Sequence, residues 1–415
     1  MTVRSSLAAI VIVTSLLVLA VSAAIAAPDV ARDRRCVESD VEKRIDVGLS
    51  GLIDVMNISG VSVGIVCKGE LAYANGFGFA DRSQSIMATS TTEYAIASVS
   101  KTFAATLAVI LEEEGVIELD DPVVTYLPSE AVFTDGAPRL SEITVRHLLT
   151  HTSGLVGDPP NRRNLSIESP YNPGVWDKYS ITDLYNALNS TKLEHPPGSV
   201  WSYSNFGYAL LGHVLERASG LPYDRLLRDK LLDPLEMDDT QVALGRRETA
   251  RLAAFYWSGD TDRQERPYAN FGEVTAFGGM TSSVNDLAKY VRFYLANEDN
   301  IQFPLSRDAI RRMWEPEIAF TDASYPQAVF QHQTPSSIMG LGWWIWQEDG
   351  KADIYEHPGE LDGHVAAVWL SPDHDIGVIV LLNMGGPVGT NALRYIEGWL
   401  IDILLDSKAA GETTD

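Results

Sequence analysis

Strand patterns at both ends of the chain, with helix and loop patterns between them, predict an α+β domain. Its core would be an antiparallel sheet flanked by helices, with an inserted, mostly helical lobe. The first observation is the β-rich run Val61–Val66 (VSVGIV) and a second run from Leu71, separated by Lys68-Gly69-Glu70 as in a hairpin. The second is the pattern's return near the C-terminus, where Val365–Leu370 leads through the turn-rich Ser371–Asp375 into Ile376–Leu382. The third is length: 415 residues suffice for one large two-lobed domain. The expected division is a main domain over 36–405, with an α/β lobe from about 36–97 and 276–405 and a helical lobe from about 98–275.

At the N-terminus, Arg4 precedes an apolar run from Leu7 to Val21 and the mostly small residues Ser22–Ala27. This is the order of a secretory signal, cut after Ala26, so residues 1–26 predict export to the periplasm or beyond. The alternative is an uncleaved membrane anchor, the one route to membrane contact; Arg32, Arg34 and Arg35 sit awkwardly with translocation. Cys36 and Cys67 are the only cysteines, and an oxidising compartment would allow them one disulfide. Two unpaired thiols are the other reading.

Within the central region, Phe103, Leu107, Ile110 and Leu111 form one apolar helical face, and Gly115 supplies a stop. A second helix is expected over about 206–218, ended by Gly220 and Pro222. Stretches 156–178 and 256–272 read as long surface loops, and the polar tail 407–415 as disordered. Hydrophobic residues make up 45% and charged residues 21%, an ordinary globular composition. The 32 Lys+Arg against 56 Asp+Glu leave a net charge of -24, which argues against a nucleic-acid partner.

Three segments carry chemistry. Ser98-Val-Ser-Lys101 opens the first helix, and residues three apart share a helical face, so the Lys101 amine can reach the Ser98 hydroxyl. Taken alone, this pattern also fits a serine cap followed by a solvated lysine. Pro197-Gly198 leads to Trp201-Ser-Tyr203-Ser-Asn205, a turn able to aim a phenol and a carboxamide into one cleft. His357-Pro358-Gly359-Glu360 precedes the strand pattern at 365–370, where a glycine would bring backbone close to a substrate.

In this order the segments resemble the serine β-lactamase and penicillin-binding protein superfamily. The likeness is strongest to the branch of class C β-lactamases, D-alanyl-D-alanine carboxypeptidases and family VIII-type esterases. It spans about residues 45–405 and includes His147–Leu155, Gly278-Gly279-Met280 with Asp286-Leu287, and Leu341–Trp344. The resemblance implies a β-lactamase/transpeptidase-like fold and a serine hydrolase with Ser98 as acylated nucleophile. It makes Lys101 the proton acceptor or relay, Tyr203 the shuttle to the leaving group and Asn205 the residue orienting Lys101 and substrate. The N–H groups of Ser98 and Glu360 would form the oxyanion hole, beside Gly359. No metal or cofactor is expected, and the substrate would be a small ester, amide or peptide.

Moving a lysine from its free pKa of about 10.4 toward neutrality needs burial or nearby positive charge. A tyrosine beside the Lys101 ammonium is expected to have its own pKa pulled down. One departure bears on substrate: His357 and Pro358 stand where many relatives have the lysine and threonine of Lys-Thr-Gly. A largely uncharged imidazole and a residue without a backbone donor weaken carboxylate recognition, pointing to esterase or D-peptidase rather than efficient β-lactamase activity. Glu360 reads as solvent-facing, with binding of a substrate ammonium as the sharper alternative. A sensor or assembly protein of the same fold is the non-hydrolytic alternative. Gly60-Val-Ser62-Val-Gly64 has the letters of a nucleophile elbow but lies inside a predicted strand. His147 and His151 lack the Glu of a zinc helix, and His357, Asp362, His364, His374 and Asp375 complete no ligand set; His147 and His151 read as structural.

Overall fold

A computed structural model describes residues 36–128, 140–159, 179–242, 251–257, 271–296, 304–320, 336–347, 350–361 and 363–406. The export segment, the tail 407–415 and most of the two predicted long loops lie outside the described residues, as does Asp362.

From Val37 onward the chain forms one compact unit. It runs α1 (Ser39–Met56), β1 (Gly60–Cys67), β2 (Glu70–Asp81), β3 (Ile86–Met87), β4 (Glu93–Ala95), a tight 3₁₀ turn at Ala97–Val99 and α2 (Ser100–Glu113). The middle contributes α3 (Val145–Leu149), α4 (Ile181–Ser190), α5 (Asn205–Ser219), α6 (Tyr223–Leu227) and β5 (Gln241–Val242). Then follow β6 (Met280–Ser283), α7 (Val284–Leu295), α8 (Arg307–Met313), β7 (Ile318–Phe320), β8 (Ser336–Met339) and β9 (Trp344–Gln347). The chain returns through β10 (Ile354–Leu361), β11 (His364–Ser371), β12 (Ile376–Leu382) and α9 (Gly386–Ile401).

Nine of the twelve described strands form a sheet ordered β3-β2-β1-β12-β11-β10-β9-β8-β7, whose consecutive pairs are antiparallel, and β4-β6-β5 form a smaller one. This is the predicted architecture of a large antiparallel sheet flanked by helices. Both expected hairpins form. Lys68 (φ 51°) and Gly69 (φ 74°) make the left-handed two-residue turn that suits the twist of paired strands. The two hairpins then join, β1 lying against β12 with Val63 opposite Val380. Every residue of β1, β11 and β12 is buried, so these strands are covered on both faces and read as continuous apolar runs. Ser62 illustrates the point: it sits in the interior of β1, donating to Thr89 O at 2.8 Å with Tyr94 Oη at 2.9 Å, and is no nucleophile elbow.

Helix α2 differs from its sequence reading. One apolar face was expected, yet every residue from Ser100 to Leu111 is buried. Its polar face is internal because its hydroxyls are satisfied there: Thr102 Oγ1 donates to Val99 O at 2.8 Å, and Thr106 Oγ1 lies 2.9 Å from Tyr290 Oη and 2.7 Å from Tyr294 Oη. Helix α5 ends as expected, Gly220 adopting φ 72° while its N–H donates to Glu216 O at 2.8 Å. Cys36 and Cys67 are disulfide-bonded.

Candidate active site

The turn between β4 and α2 places Ser98. Ile96 N–H donates to Met280 O at 3.0 Å, anchoring the turn's entry, and Ala97 takes a left-handed conformation at φ 46°. A non-glycine residue there is uncommon and is held by its surroundings. Strand β10 passes directly over this turn. A Cβ on Gly359 would lie 2.3 Å from Ile96 O, 3.0 Å from Ser98 N and 3.2 Å from Ala97 Cβ, so only glycine permits the approach. Strand β9 pairs with β10 at Ile354, Tyr355 and Glu356 only, so the following stretch of β10 runs beside the Ser98 turn instead of beside β9.

One turn further on, Lys101 is fully buried. Its Nζ lies 3.1 Å from Ser98 Oγ, 2.8 Å from Asn205 Oδ1 and 2.6 Å from Phe277 O. Burial pulls its pKa well below the ordinary lysine value, and the Asp158 carboxylate opposes that fall. Asn205 is the first residue of α5, and Tyr203 stands two residues earlier. Tyr203 Oη donates to Ser98 Oγ at 2.9 Å. The sequence had suggested a Tyr203 pKa lowered by a lysine ammonium. It is raised instead: burial disfavours the phenolate, and the same burial disfavours the ammonium that would have stabilised it.

His151 props this arrangement from below. Its ring centroid lies 4.4 Å from that of Tyr203 and 4.9 Å from that of Tyr208, and its Nδ1 accepts from Ser204 N–H at 3.1 Å. His147 Nδ1 accepts from Thr144 N–H at 3.2 Å, closing a capping box on α3. His364 Nδ1 accepts from Ala95 N–H at 2.8 Å, and its ring stacks on Phe255 at 3.8 Å. Each of these histidines thus has a role in the fold.

His357 is buried, 1% exposed, with Nδ1 2.7 Å from Pro358 O. A carbonyl can only accept, so Nδ1 carries the ring proton and Nε2 is left as a bare acceptor. Burial, followed by the influence of Lys101, pushes its pKa down to about 3, so the ring is neutral across the physiological range. Glu360 is exposed, opposite Val365 on β11.

The fold brings all three sequence segments to Ser98. It also adds groups the sequence did not mark. The Phe277 carbonyl has no side-chain signature, and Asp158, whose Oδ1 accepts from Asn205 Nδ2 at 3.2 Å, was hidden in a predicted loop. Trp201 stacks on Phe320 at 4.0 Å, and Trp344 bridges this pair to His357, its ring centroid 5.8 Å from the imidazole. Trp201 lies more than a hundred positions before Phe320 and Trp344, so no local spacing announced the cluster.

The family model described as Beta-lactamase matches residues 51–401. D-alanyl-D-alanine-carboxypeptidase/endopeptidase AmpH of Escherichia coli (strain K12) is 27% identical over 293 residues, covering 69% of this chain and 70% of that protein. Protein flp of Staphylococcus aureus (strain MRSA252) is 24% identical over 374 residues, covering 88% of this chain and 67% of its own length. Among solved structures, the octameric penicillin-binding protein homologue from Pyrococcus abyssi superposes with a TM-score of 0.70 at 26% identity, covering 86% of this chain and 77% of the other. With a family model spanning most of its length and a matching fold, the chain belongs to the beta-lactamase family.

Proposed function

We propose that the protein is a serine acyl hydrolase that forms an acyl-enzyme at Ser98 and cleaves an ester or amide bond. The observation that carries this reading is the set of contacts around Lys101 Nζ. A neutral amine has two hydrogens and one lone pair. The Phe277 carbonyl at 2.6 Å and Asn205 Oδ1 at 2.8 Å can only accept, so they take the two hydrogens. The lone pair is left for the Ser98 hydroxyl, 3.1 Å away. Lys101 is then a base in place, and Tyr203 steadies Ser98 Oγ from the other side.

In acylation, Ser98 Oγ bonds to the substrate carbonyl carbon and its proton moves to Lys101. The bond to the leaving alcohol or amine breaks as a proton returns to it through Tyr203. Water then repeats the sequence, with its proton taken by the same pair and the acid released from Ser98. The N–H groups of Ser98 and Glu360 receive the developing oxyanion, each well-placed donor contributing about 3 kcal/mol. Strand β10's close approach to Ser98 N, with Gly359 as the point of contact, supports that assignment.

The acyl preference follows from His357. A lysine in its place would offer a cation to a substrate carboxylate; a neutral imidazole with a bare Nε2 acceptor repels one. This supports esterase or D-peptidase-like chemistry over efficient β-lactam hydrolysis. The carboxypeptidase named among the relatives and the signal-like N-terminal segment favour a cell-envelope setting outside the cytoplasm.

Intact-mass measurement after mixing with p-nitrophenyl esters, D-alanyl peptides and a chromogenic cephalosporin tests the reading. Transient acylation mapped to Ser98, turnover of ester or peptide above cephalosporin, and silence of Ser98→Ala are expected. An adduct that persists without product release would mark a sensor, and full activity in Ser98→Ala would sink the assignment.

A further inference from the structure

We infer that Asp158 is a positioning residue for the Ser98–Lys101 pair, acting through Asn205, whose amide it locks and beside which it holds a negative charge. The inference rests on the acyl-enzyme reading above.

The geometry is directional. Asn205 Oδ1 faces Lys101 Nζ at 2.8 Å, and Asn205 Nδ2 faces Asp158 Oδ1 at 3.2 Å. A carboxylate only accepts, so it selects the amide's N–H₂ end and turns the carbonyl end toward Lys101. A flipped amide would set oxygen against the carboxylate and N–H₂ against the amine, losing both contacts. The orientation matters because Asn205 Oδ1 takes one of the two amine hydrogens. Without it the lone pair of Lys101 has no fixed direction.

The charge has a separate effect. Around Lys101 the fold packs Tyr203, Tyr208 and Phe277, whose ring centroids lie 4.8, 5.6 and 5.7 Å from Nζ. His151 and His357 also face it, and burial keeps both imidazoles uncharged. Asp158 is half-buried and pushes the proton affinity of Lys101 up, against the desolvation that lowers it. It thereby sets how strong a base the buried amine can be: weaker without the charge, and already deprotonated at lower pH.

The test is the pH dependence of p-nitrophenyl butyrate hydrolysis, with acylation of Ser98 followed by intact mass. Asp158→Asn preserves an acceptor for Asn205 and removes the charge. Its acid limb of kcat/KM is expected about one pH unit lower than in the wild type, in the range for loss of a nearby opposite charge. Asp158→Glu, which restores the charge, is expected to return the limb toward its original position. Asp158→Ala removes charge and acceptor together; it should share the shift and lose a further tenfold or so in plateau kcat, as expected when positioning is relaxed. An acid limb in Asp158→Asn that coincides with the wild type overturns the electrostatic role. Equal plateaus for the Asn and Ala variants overturn the amide lock. Failure of the wild type itself to acylate at Ser98 defeats the underlying reading instead, so the failures are distinguishable. Thermal unfolding of each variant, expected within a few degrees of the wild type for a half-buried site, separates these outcomes from misfolding.

Discussion

At the scale of single residues, the site depends on which groups are allowed to carry charge. Lys101 and Tyr203 are each buried, and burial drives each toward its uncharged form, amine and phenol. That is the pairing a base-catalysed acylation requires, with the lone pair on nitrogen and the proton on oxygen. Tyr203→Phe keeps the ring contact with His151 and deletes only the hydroxyl that donates to Ser98 at 2.9 Å. Its kcat is expected to fall by about 10²- to 10⁴-fold, the usual contribution of a positioned proton-transfer group, with the melting temperature little changed. Steady-state kinetics beside a thermal melt checks both halves. Ser98, Lys101, Tyr203, Asn205 and His357 were legible in the sequence because each belongs to a short motif with chemical meaning. Asp158 and the Phe277 carbonyl were not, since one is a common loop residue and the other contributes only backbone.

At the scale of elements, β10 is the part that closes the site. It pairs with β11 from Tyr355 to Leu361 but with β9 only as far as Glu356. Its remaining edge runs against the 3₁₀ turn that holds Ser98. Gly359 makes that approach possible, and Gly359→Ala would force its methyl to 2.3 Å from Ile96 O. Either β10 or the turn must move, so a stability loss of about 1–3 kcal/mol is expected, together with a fall in kcat as the proposed oxyanion donors, the Ser98 and Glu360 N–H groups, separate. A denaturant melt and a burst-phase assay measure the two effects. The hairpins were readable at element scale because alternation and turn residues are local. The enclosure of α2 was not. Its threonines look like a solvent face until Tyr290 and Tyr294, nearly two hundred positions away, bond to them.

At the scale of the molecule, one buried charge cluster ties the sheet to α9. Arg394 Nη1 lies 3.4 Å from Glu356 Oε1 and 3.7 Å from Glu397 Oε2, with both carboxylates buried. Burial raises the pKa of each, and one guanidinium cannot neutralise two anions. A carboxyl whose folded pKa exceeds its unfolded value of about 4.3 contributes stability fully present below that pH and lost as pH rises through the folded value. The contribution of this pair should therefore decline from about pH 4.3 upward. Glu397→Gln leaves Arg394 to Glu356 and should flatten that loss, so that the variant gains on the wild type as pH rises from 4 to 8. Melting temperatures across pH 4–8 test it, and parallel curves for the two proteins would reject it. No composition statistic points to this cluster: with 56 acidic residues in the chain, the two that matter are distinguished only by what encloses them.

The pairing of β1 with β12 also governs how the polypeptide can be made. The middle of the sheet joins Val61 to Leu382 and Cys67 to Ile376, so β1, already hairpinned to β2, waits for the last strand before its other edge is covered. During synthesis, some three hundred residues must leave the ribosome while that edge of β1 stays without β12. Its eight-residue run, buried in the finished molecule, is then exposed to passing chains and chaperones. Strand β10, which meets the Ser98 turn through Gly359, also comes late in the chain, so the candidate site is assembled only after most of the polypeptide has been made.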